Sequence, residues 1–261
     1  MKISIIISTY NAPKNLCLVL QALAKQTTKN FEVVIADDGS TAETQQLIEF
    51  MRPQLPYKIK HVWQEDIGFR LAKIRNKAIV AASGDFIIFI DVDCLPLPTF
   101  VQKYIKLAEP GYFIAGNRVL LAPNFIPQSY DFLQLFFAYC QKKINRLLPF
   151  VYLQLGFLRK INKTKWRAAK GCNLGIWKKD LLEVNGFDES FTGWGYEDSD
   201  LVIRLIRNKI FHKSGRFAVP VMHIWHPENS RENANSNLQK LQQTMMSQAT
   251  AAQIGIYQYL N

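Results

Sequence analysis

The 261-residue chain is short of three things. It has only four cysteines, Cys17, Cys94, Cys140 and Cys172, and none stands in a C-x-x-C pair. That spacing indicates neither a zinc knuckle nor a disulfide framework and fits a reducing compartment. No stretch approaches the roughly 20 apolar residues that a spanning helix requires. The opening Met1-Lys2-Ile3 run breaks at Ser8-Thr9-Tyr10-Asn11, too early for a signal segment. The third scarcity is local. Between Asp131 and Asp180 there is no acidic residue, although the interval holds eleven Lys and Arg. The net charge of +11 is therefore concentrated in one stretch, which reads as a surface for an anionic partner such as phospholipid, phosphorylated glycolipid or nucleic acid.

Apolar residues make up 48% of the chain, enough to bury one large core, or a core with a small subdomain. The first 120 residues alternate short apolar runs with helical spacings, the pattern of a mostly parallel sheet covered on both faces. Strands are expected at Ile3 to Ser8, Phe31 to Ala36, Ile59 to Trp63 and Phe86 to Ile90. Helices are expected from Lys14 to Lys25, from a cap at Ser40 or Thr41 to about Met51, and from Leu71 to Ala82. Further on, Tyr112 to Leu121 reads as a strand pair around Gly116-Asn117. Phe132 to Leu158 reads as one or two amphipathic helices broken near Pro149, either lying on anionic lipid or covering the core with a basic outer face. Short helices are expected from Asp180 to Asn185 and from Asp198 to Asn208, and a helical tail from Asn237 onward.

Open α/β sheets bind ligands beyond the carboxyl ends of their strands. Three such ends are polar here: Ser8-Thr9-Tyr10-Asn11, Asp37-Asp38 and Asp91-Val92-Asp93. They are expected to converge on one cleft. A D-x-D at a buried strand end can hold a hard divalent cation with coordination sites left for diphosphate oxygens, although the bare motif is also a common solvated turn. Asp37-Asp38 has an equally plain reading as a turn and helix cap, and Arg75 as a surface charge.

These segments, with Arg75-Asn76-Lys77-Ala78, resemble the donor-binding motifs of family 2 glycosyltransferases. Gly193-Trp194-Gly195-Tyr196-Glu197-Asp198-Ser199-Asp200 resembles the acceptor-site segment of β-1,4-galactosyltransferases and of bacterial chondroitin-polymerase-type enzymes. The resemblance spans residues 3 to about 228. It implies an α/β GT-A fold with a mostly parallel, Rossmann-like sheet and a C-terminal acceptor-binding portion. It divides the chain into a nucleotide-sugar-binding half (1–120), an acceptor and catalytic-base half of the same domain (121–228) and a helical tail (229–261).

The implied activity is inverting, metal-dependent transfer of a sugar from a UDP-sugar to a carbohydrate acceptor of a surface glycan such as lipopolysaccharide or capsule. By the same resemblance Ser8, Thr9 and Tyr10 line the nucleobase pocket, and Asp38 accepts from uracil. Arg75 lies near the diphosphate, and Gly68 admits close backbone approach. Asp93 is the principal metal ligand in the Asp91-Val92-Asp93 motif, with Asp91 on ribose or on the metal through water. Asp198 is the general base, Glu197 holds acceptor hydroxyls, and Trp194 beside Gly195 offers the acceptor an aromatic face.

His223 and His226 stand at the positions of the family's M-x-x-H, with a histidine in place of the methionine at 223; His226 is the expected metal ligand and His223 the second candidate. A nitrogen ligand favours Mn²⁺ over Mg²⁺. The expected partners are a UDP-sugar donor, a carbohydrate or glycolipid acceptor and an anionic membrane surface, and not nucleic acid. The expected location is the cytoplasm, peripheral on the inner membrane's cytoplasmic face. The competing readings are a sugar nucleotidyltransferase, which lacks its usual Gly-rich, Lys-containing phosphate loop here, and a non-catalytic binder of glycans or anionic polymers.

Overall fold

The computed structural model describes residues 1–227 and 231–260. The expected boundary at 228/229 lies outside the described residues. Four segments form the parallel heart of the molecule, β1 (Ile3–Thr9), β2 (Phe31–Asp37), β3 (Lys58–Trp63) and β4 (Phe86–Asp91), of which all but β3 are mostly apolar. Every residue of β1 and β2 is buried, as expected of strands covered on both faces. The helices α1 (Pro13–Ala24), α2 (Ala42–Met51) and α3 (Leu71–Ala81) connect these strands. Pro13 occupies the first turn of α1, where its missing N–H leaves no helical bond unmade.

Beyond β4 the chain forms β5 (Cys94–Pro96), α4 (Phe100–Leu107), β6 (Tyr112–Ala115) and β7 (Asn117–Leu120), then α5 (Phe132–Cys140). There follow β8 (Asn173–Trp177), α6 (Lys178–Glu183), α7 (Glu197–Arg207), β9 (Phe211–Ser214), β10 (Pro220–His223) and α8 (Ala234–Met246). The large sheet runs β3-β2-β1-β4-β8-β6-β9 and the small one β5-β10-β7. In the large sheet β8 is antiparallel to both β4 and β6, which joins the later half of the chain to the parallel strands. Apolar clusters pack on both faces of the large sheet.

Several expectations change. The pair around Gly116-Asn117 is not a hairpin, because β6 joins the large sheet and β7 the small one. The buried amide of Asn173 explains the split. It accepts from Tyr104 Oη at 2.7 Å and donates to the carbonyls of Asn117 and Val219 at 3.0 and 2.7 Å. A Cβ on Gly116 would lie 2.2 Å from that amide. Neither Ser40 nor Thr41 caps α2 through its side chain; Thr41 is the N-cap residue, and Ser40 Oγ instead accepts from the Asn11 N–H. The Phe132 to Leu158 interval has one helix, α5, and then only single 3-10 turns, in keeping with Pro149 and Gly156. The tail helix α8 begins three residues before its expected start and packs against α7. No helix among the described residues is long and apolar enough to cross a membrane.

Candidate active site

The carboxyl ends of β1, β2 and β4 share one edge of the sheet, and register explains why. Ser8 pairs with Ala36 on one side and with Asp91 on the other. The two acids after β2 then separate by role. Asp37 is structural, its Oδ1 accepting from the Ser40 N–H at 2.8 Å and its Oδ2 facing His61 Nε2 at 2.9 Å. Asp38 accepts from Gln64 Nε2 at 2.6 Å and from the Arg70 N–H at 2.7 Å. Burial raises the Asp38 pKa, partly opposed by those two donors. Next to it, the buried Thr9 hydroxyl has no hydrogen-bond partner, an open polar group at this end of the sheet. Tyr10 is half exposed and donates its hydroxyl to Asp66 at 2.8 Å. Gly68 has φ +75° with no protein atom within 4 Å of a built Cβ, so it is the backbone turn, not crowding, that favours glycine there. Val92 donates its N–H to the Ser8 carbonyl at 3.0 Å, which ties the D-x-D turn to β1.

Arg75 projects from α3 into the centre of this edge and is 1% exposed. Its Nε donates to Ser8 Oγ at 3.0 Å, Nη2 to Asp91 Oδ1 at 2.8 Å and Nη1 to Glu197 Oε1 at 3.2 Å. Burial alone would weaken the guanidinium's charge, but the carboxylates of Asp91, Glu197 and Asp198 outweigh it and raise the pKa. Burial also raises Asp91, against the pull of Arg75 and with the push of Asp93. Glu197 reaches about 7 through burial and the adjacent Asp198 charge, again against Arg75. A Cβ on Gly171 would come within 2.8 Å of the Arg75 guanidinium, and the Gly171 N–H donates to Asp198 Oδ2 at 2.9 Å.

The Gly193–Tyr196 loop has three left-handed residues, Gly193, Gly195 and Tyr196. A side chain at Gly193 would strike Asn233, 2.3 Å from a built Cβ. This path leaves Trp194 41% exposed under the Arg231 guanidinium and starts α7 with Glu197 and Asp198 in its first turn, where the helix dipole favours them. The tail holds the loop from behind. The fully buried Asn237 of α8 donates to the carbonyls of Thr192 and Trp194 at 3.0 and 3.3 Å.

On the other side of the D-x-D turn, Asp93 Oδ2 faces His226 Nε2 at 3.0 Å and His223 Nε2 at 3.3 Å. One ligand atom from each of the three side chains lies within 4.8 Å of the others. β10 pairs with β5, so His223 sits opposite Cys94, one residue after Asp93. Burial would raise the Asp93 pKa, yet hydrogen bonds from the two histidines hold it well below the carboxylate range. His226 is raised to about 8, chiefly by its bond to Asp93. One carboxylate oxygen and two imidazoles are a donor set suited to a first-row divalent ion and fit Mn²⁺. Asp91 is not in this cluster, because Arg75 already engages it.

Sequence reasoning passed over Gln64 and Asn237 as site residues. Gln64 directly follows β3, so the strand-end rule that drew attention to Asp38 also pointed there. From sequence, Lys170-Gly171-Cys172-Asn173-Leu174-Gly175 reads as small residues that admit close approach of donor or acceptor, or as a tight turn before a helix, whereas the role of Asn237 has no local signal.

The family description "Glycosyl transferase family 2" matches residues 4–160, and "N-terminal domain of galactosyltransferase" matches residues 158–225. The chain belongs to glycosyl transferase family 2 and has the GT-A fold. It is 30% identical to a chondroitin synthase of Escherichia coli, over 81% of this chain and 33% of that protein. It is 32% identical to a validoxylamine A glucosyltransferase of Streptomyces hygroscopicus subsp. jinggangensis (strain 5008), over 78% of this chain and 51% of that one. The chain thus spans about a third to a half of the length of these relatives. In fold it resembles S. aureus TarS 1-349 in complex with UDP-GlcNAc, with a TM-score of 0.68 at 19% identity over 99% of this chain and 69% of that one. It also resembles GalNAc-T7 with UDP, GalNAc and Mn²⁺, with a TM-score of 0.68 at 16% identity over 93% and 48%.

Proposed function

We propose that the chain is an inverting, metal-dependent glycosyltransferase that moves a sugar from a UDP-sugar to a carbohydrate acceptor, a lipid-linked surface glycan. The observation that carries this reading is the Arg75 junction. It joins the D-x-D turn of the donor half to Glu197 of the acceptor half, with Asp198 beside them on the Gly171 amide. A donor pocket and an acceptor loop built independently would need no such buried link.

In this reading residues 1–120 bind the nucleotide-sugar, 121–228 the acceptor, and the tail supports the acceptor loop. Ser8, Thr9 and Tyr10 border the base, with the open Thr9 hydroxyl as one point of contact, and Asp38 accepts from the uracil N–H. Asp93, His226 and His223 would hold Mn²⁺, which would supply positive charge against the leaving diphosphate. Arg75 adds a fixed positive charge at the same edge and keeps Asp91 from crowding that charge. Asp198 takes the acceptor hydroxyl's proton as the oxygen attacks the anomeric carbon opposite the diphosphate, which inverts that centre. Glu197 is held aside by Arg75 and orients the acceptor hydroxyls, and the open face of Trp194 stacks on the sugar's C–H side. The relatives' names, chondroitin synthase and glucosyltransferase, support sugar transfer without identifying this chain's sugar.

The test is Mn²⁺-dependent turnover of UDP-Gal, UDP-Glc, UDP-GlcNAc and UDP-GalNAc. Turnover of at least one is expected, with Asp198→Asn losing roughly 10²–10⁴-fold while still binding UDP. Preference for a GDP- or CMP-sugar would overturn the role of Asp38, and full activity in both Asp93→Ala and Asp198→Asn would overturn the mechanism.

A further inference from the structure

The acid-free interval holds a feature that its sequence only half reveals. Of the nine residues of α5, Phe-Leu-Gln-Leu-Phe-Phe-Ala-Tyr-Cys, only Gln134 is strongly polar. The helix buries Leu135 and Ala138 and leaves Phe132, Leu133, Phe136, Phe137 and Tyr139 between 42% and 68% exposed. At 100° per residue those five side chains fall on one broad face opposite the buried pair. A face of adjacent aromatic and aliphatic side chains is unusual on a protein surface bathed only in water.

The charge beside this face is selective. Of the eleven cations in the interval, several are tied to other parts of the protein. Arg159 donates to the carbonyls of Ser214, Arg216 and Leu153, Lys160 pairs with Glu109 at 2.6 Å, and Lys178 bonds the carbonyls that end α3. The turn that leaves α5 carries Lys142, Lys143 and Arg146, all exposed and in no ion pair among the described residues; Lys143 lies over the Phe125 ring and Arg146 also donates to the Arg118 carbonyl at 3.0 Å.

We infer that α5 and the turn after it form a docking face for an anionic lipid bilayer, with the aromatic side chains entering the headgroup boundary and the three cations on the phosphates. The combination of a short apolar face with adjoining cations matches that partner's chemistry. An apolar protein groove would not need the cations, and a free polyanion would not need the phenyl rings.

The placement also serves the site. After α5 the chain pairs Ile144 with Leu121, and the Leu121 N–H donates to the His223 carbonyl at 2.9 Å. The segment that follows α5 therefore lies along the edge of the small sheet, at Ile144 about two strand spacings or roughly 10 Å from the strand carrying His223. A surface-bound chain would meet its acceptor at the membrane. That consequence rests on the proposed transferase reading, whereas the docking face itself does not.

The test is co-sedimentation of the full chain with vesicles of phosphatidylcholine alone or with about one third phosphatidylglycerol, together with the Leu133→Ser/Phe137→Ser and Lys142→Glu/Arg146→Glu variants. These four positions are exposed, and circular dichroism checks that both variants fold. Binding to the anionic vesicles is expected, reduced roughly tenfold or more by either double change, with salt weakening it and neutral vesicles capturing little. UDP-sugar turnover in the absence of vesicles should be the same in all three proteins, so failed docking is separable from failed catalysis. Absence of wild-type binding, or equal binding by folded variants, would overturn the inference. So would light scattering that shows a dimer of this chain dispersed by Leu133→Ser/Phe137→Ser.

Discussion

Arg75 and Glu197 lie 122 positions apart in the chain, yet their side chains meet at 3.2 Å in the buried centre of the cleft. The contact makes one guanidinium the shared counter-ion of two half-sites. Breaking a buried ion pair from one side typically costs about 3–5 kcal/mol, because the remaining charges stay unpaired. Arg75→Ala should lose about that much stability together with turnover. Arg75→Lys should recover little of either, since a single ammonium cannot span Ser8, Asp91 and Glu197. Urea unfolding and turnover measured side by side check this, and a near-native lysine variant would refute the shared role.

Metal binding should depend on Asp93 and the histidines and not on Asp91. Loss of a group that merely supports a metal ligand costs roughly 10–100-fold in affinity, which sets a floor for loss of a ligand. Calorimetric titration with Mn²⁺ should therefore show that range or worse for Asp93→Ala and His226→Ala. If Asp91→Asn proves as damaging as either, Arg75 is not what occupies Asp91.

Glu32 makes stability pH-dependent in a predictable direction. Burial would raise its pKa, but hydrogen bonds from Ser4 and Ser83, with Lys60 at 3.2 Å, hold the folded value at about 2 against an ordinary 4.5. A depressed folded pKa stabilises the protein above the unfolded value, and that stability is lost as pH falls from about 4.5 toward 2. The stabilisation at neutral pH is about 3 kcal/mol by linkage. Glu32→Gln should be less stable at pH 7, and the gap to wild type should shrink steadily down that window. A constant gap in denaturation midpoints would show that Glu32 does not act through ionisation.

Asn237 is a positioning residue for the Trp194 loop. Asn237→Ala removes two hydrogen bonds to loop carbonyls, which at about 0.5–1.5 kcal/mol each costs about 1–3 kcal/mol. A purely structural role would stop there. A positioning role also raises the acceptor KM while leaving the UDP-sugar KM unchanged, and steady-state kinetics with both substrates varied separates the two.

The parallel half was legible because its signals are local. Ile5 to Ile7 and Phe86 to Ile90 are unbroken apolar runs followed by polar residues, and the strand-end rule converts those endings into a cleft. The short strands β5, β9 and β10 were not legible. Segments of three or four residues have no period of their own and exist because neighbours pair with them. The aromatic interval misled for a related reason: α5 has helical spacing, but the residues after it are held by hydrogen bonds such as those of Arg159 to distant carbonyls. Within the site, residue types suggested Asp93 with a histidine, but spacing could not reveal that Arg75 would claim Asp91.

The antiparallel strand β8 sets a timetable for assembly. Phe86 to Ile90 needs Asn173 to Trp177 along its open side, so the nascent first half waits for more than eighty further residues before that edge is sealed. At roughly 5–20 residues per second, the delay during synthesis is on the order of 4–16 seconds. Throughout it a strand of Phe and Ile stands ready to template another chain. The same strand insertion means that shortening the polypeptide before β8 would leave a sticky fragment in place of a smaller nucleotide-binding protein.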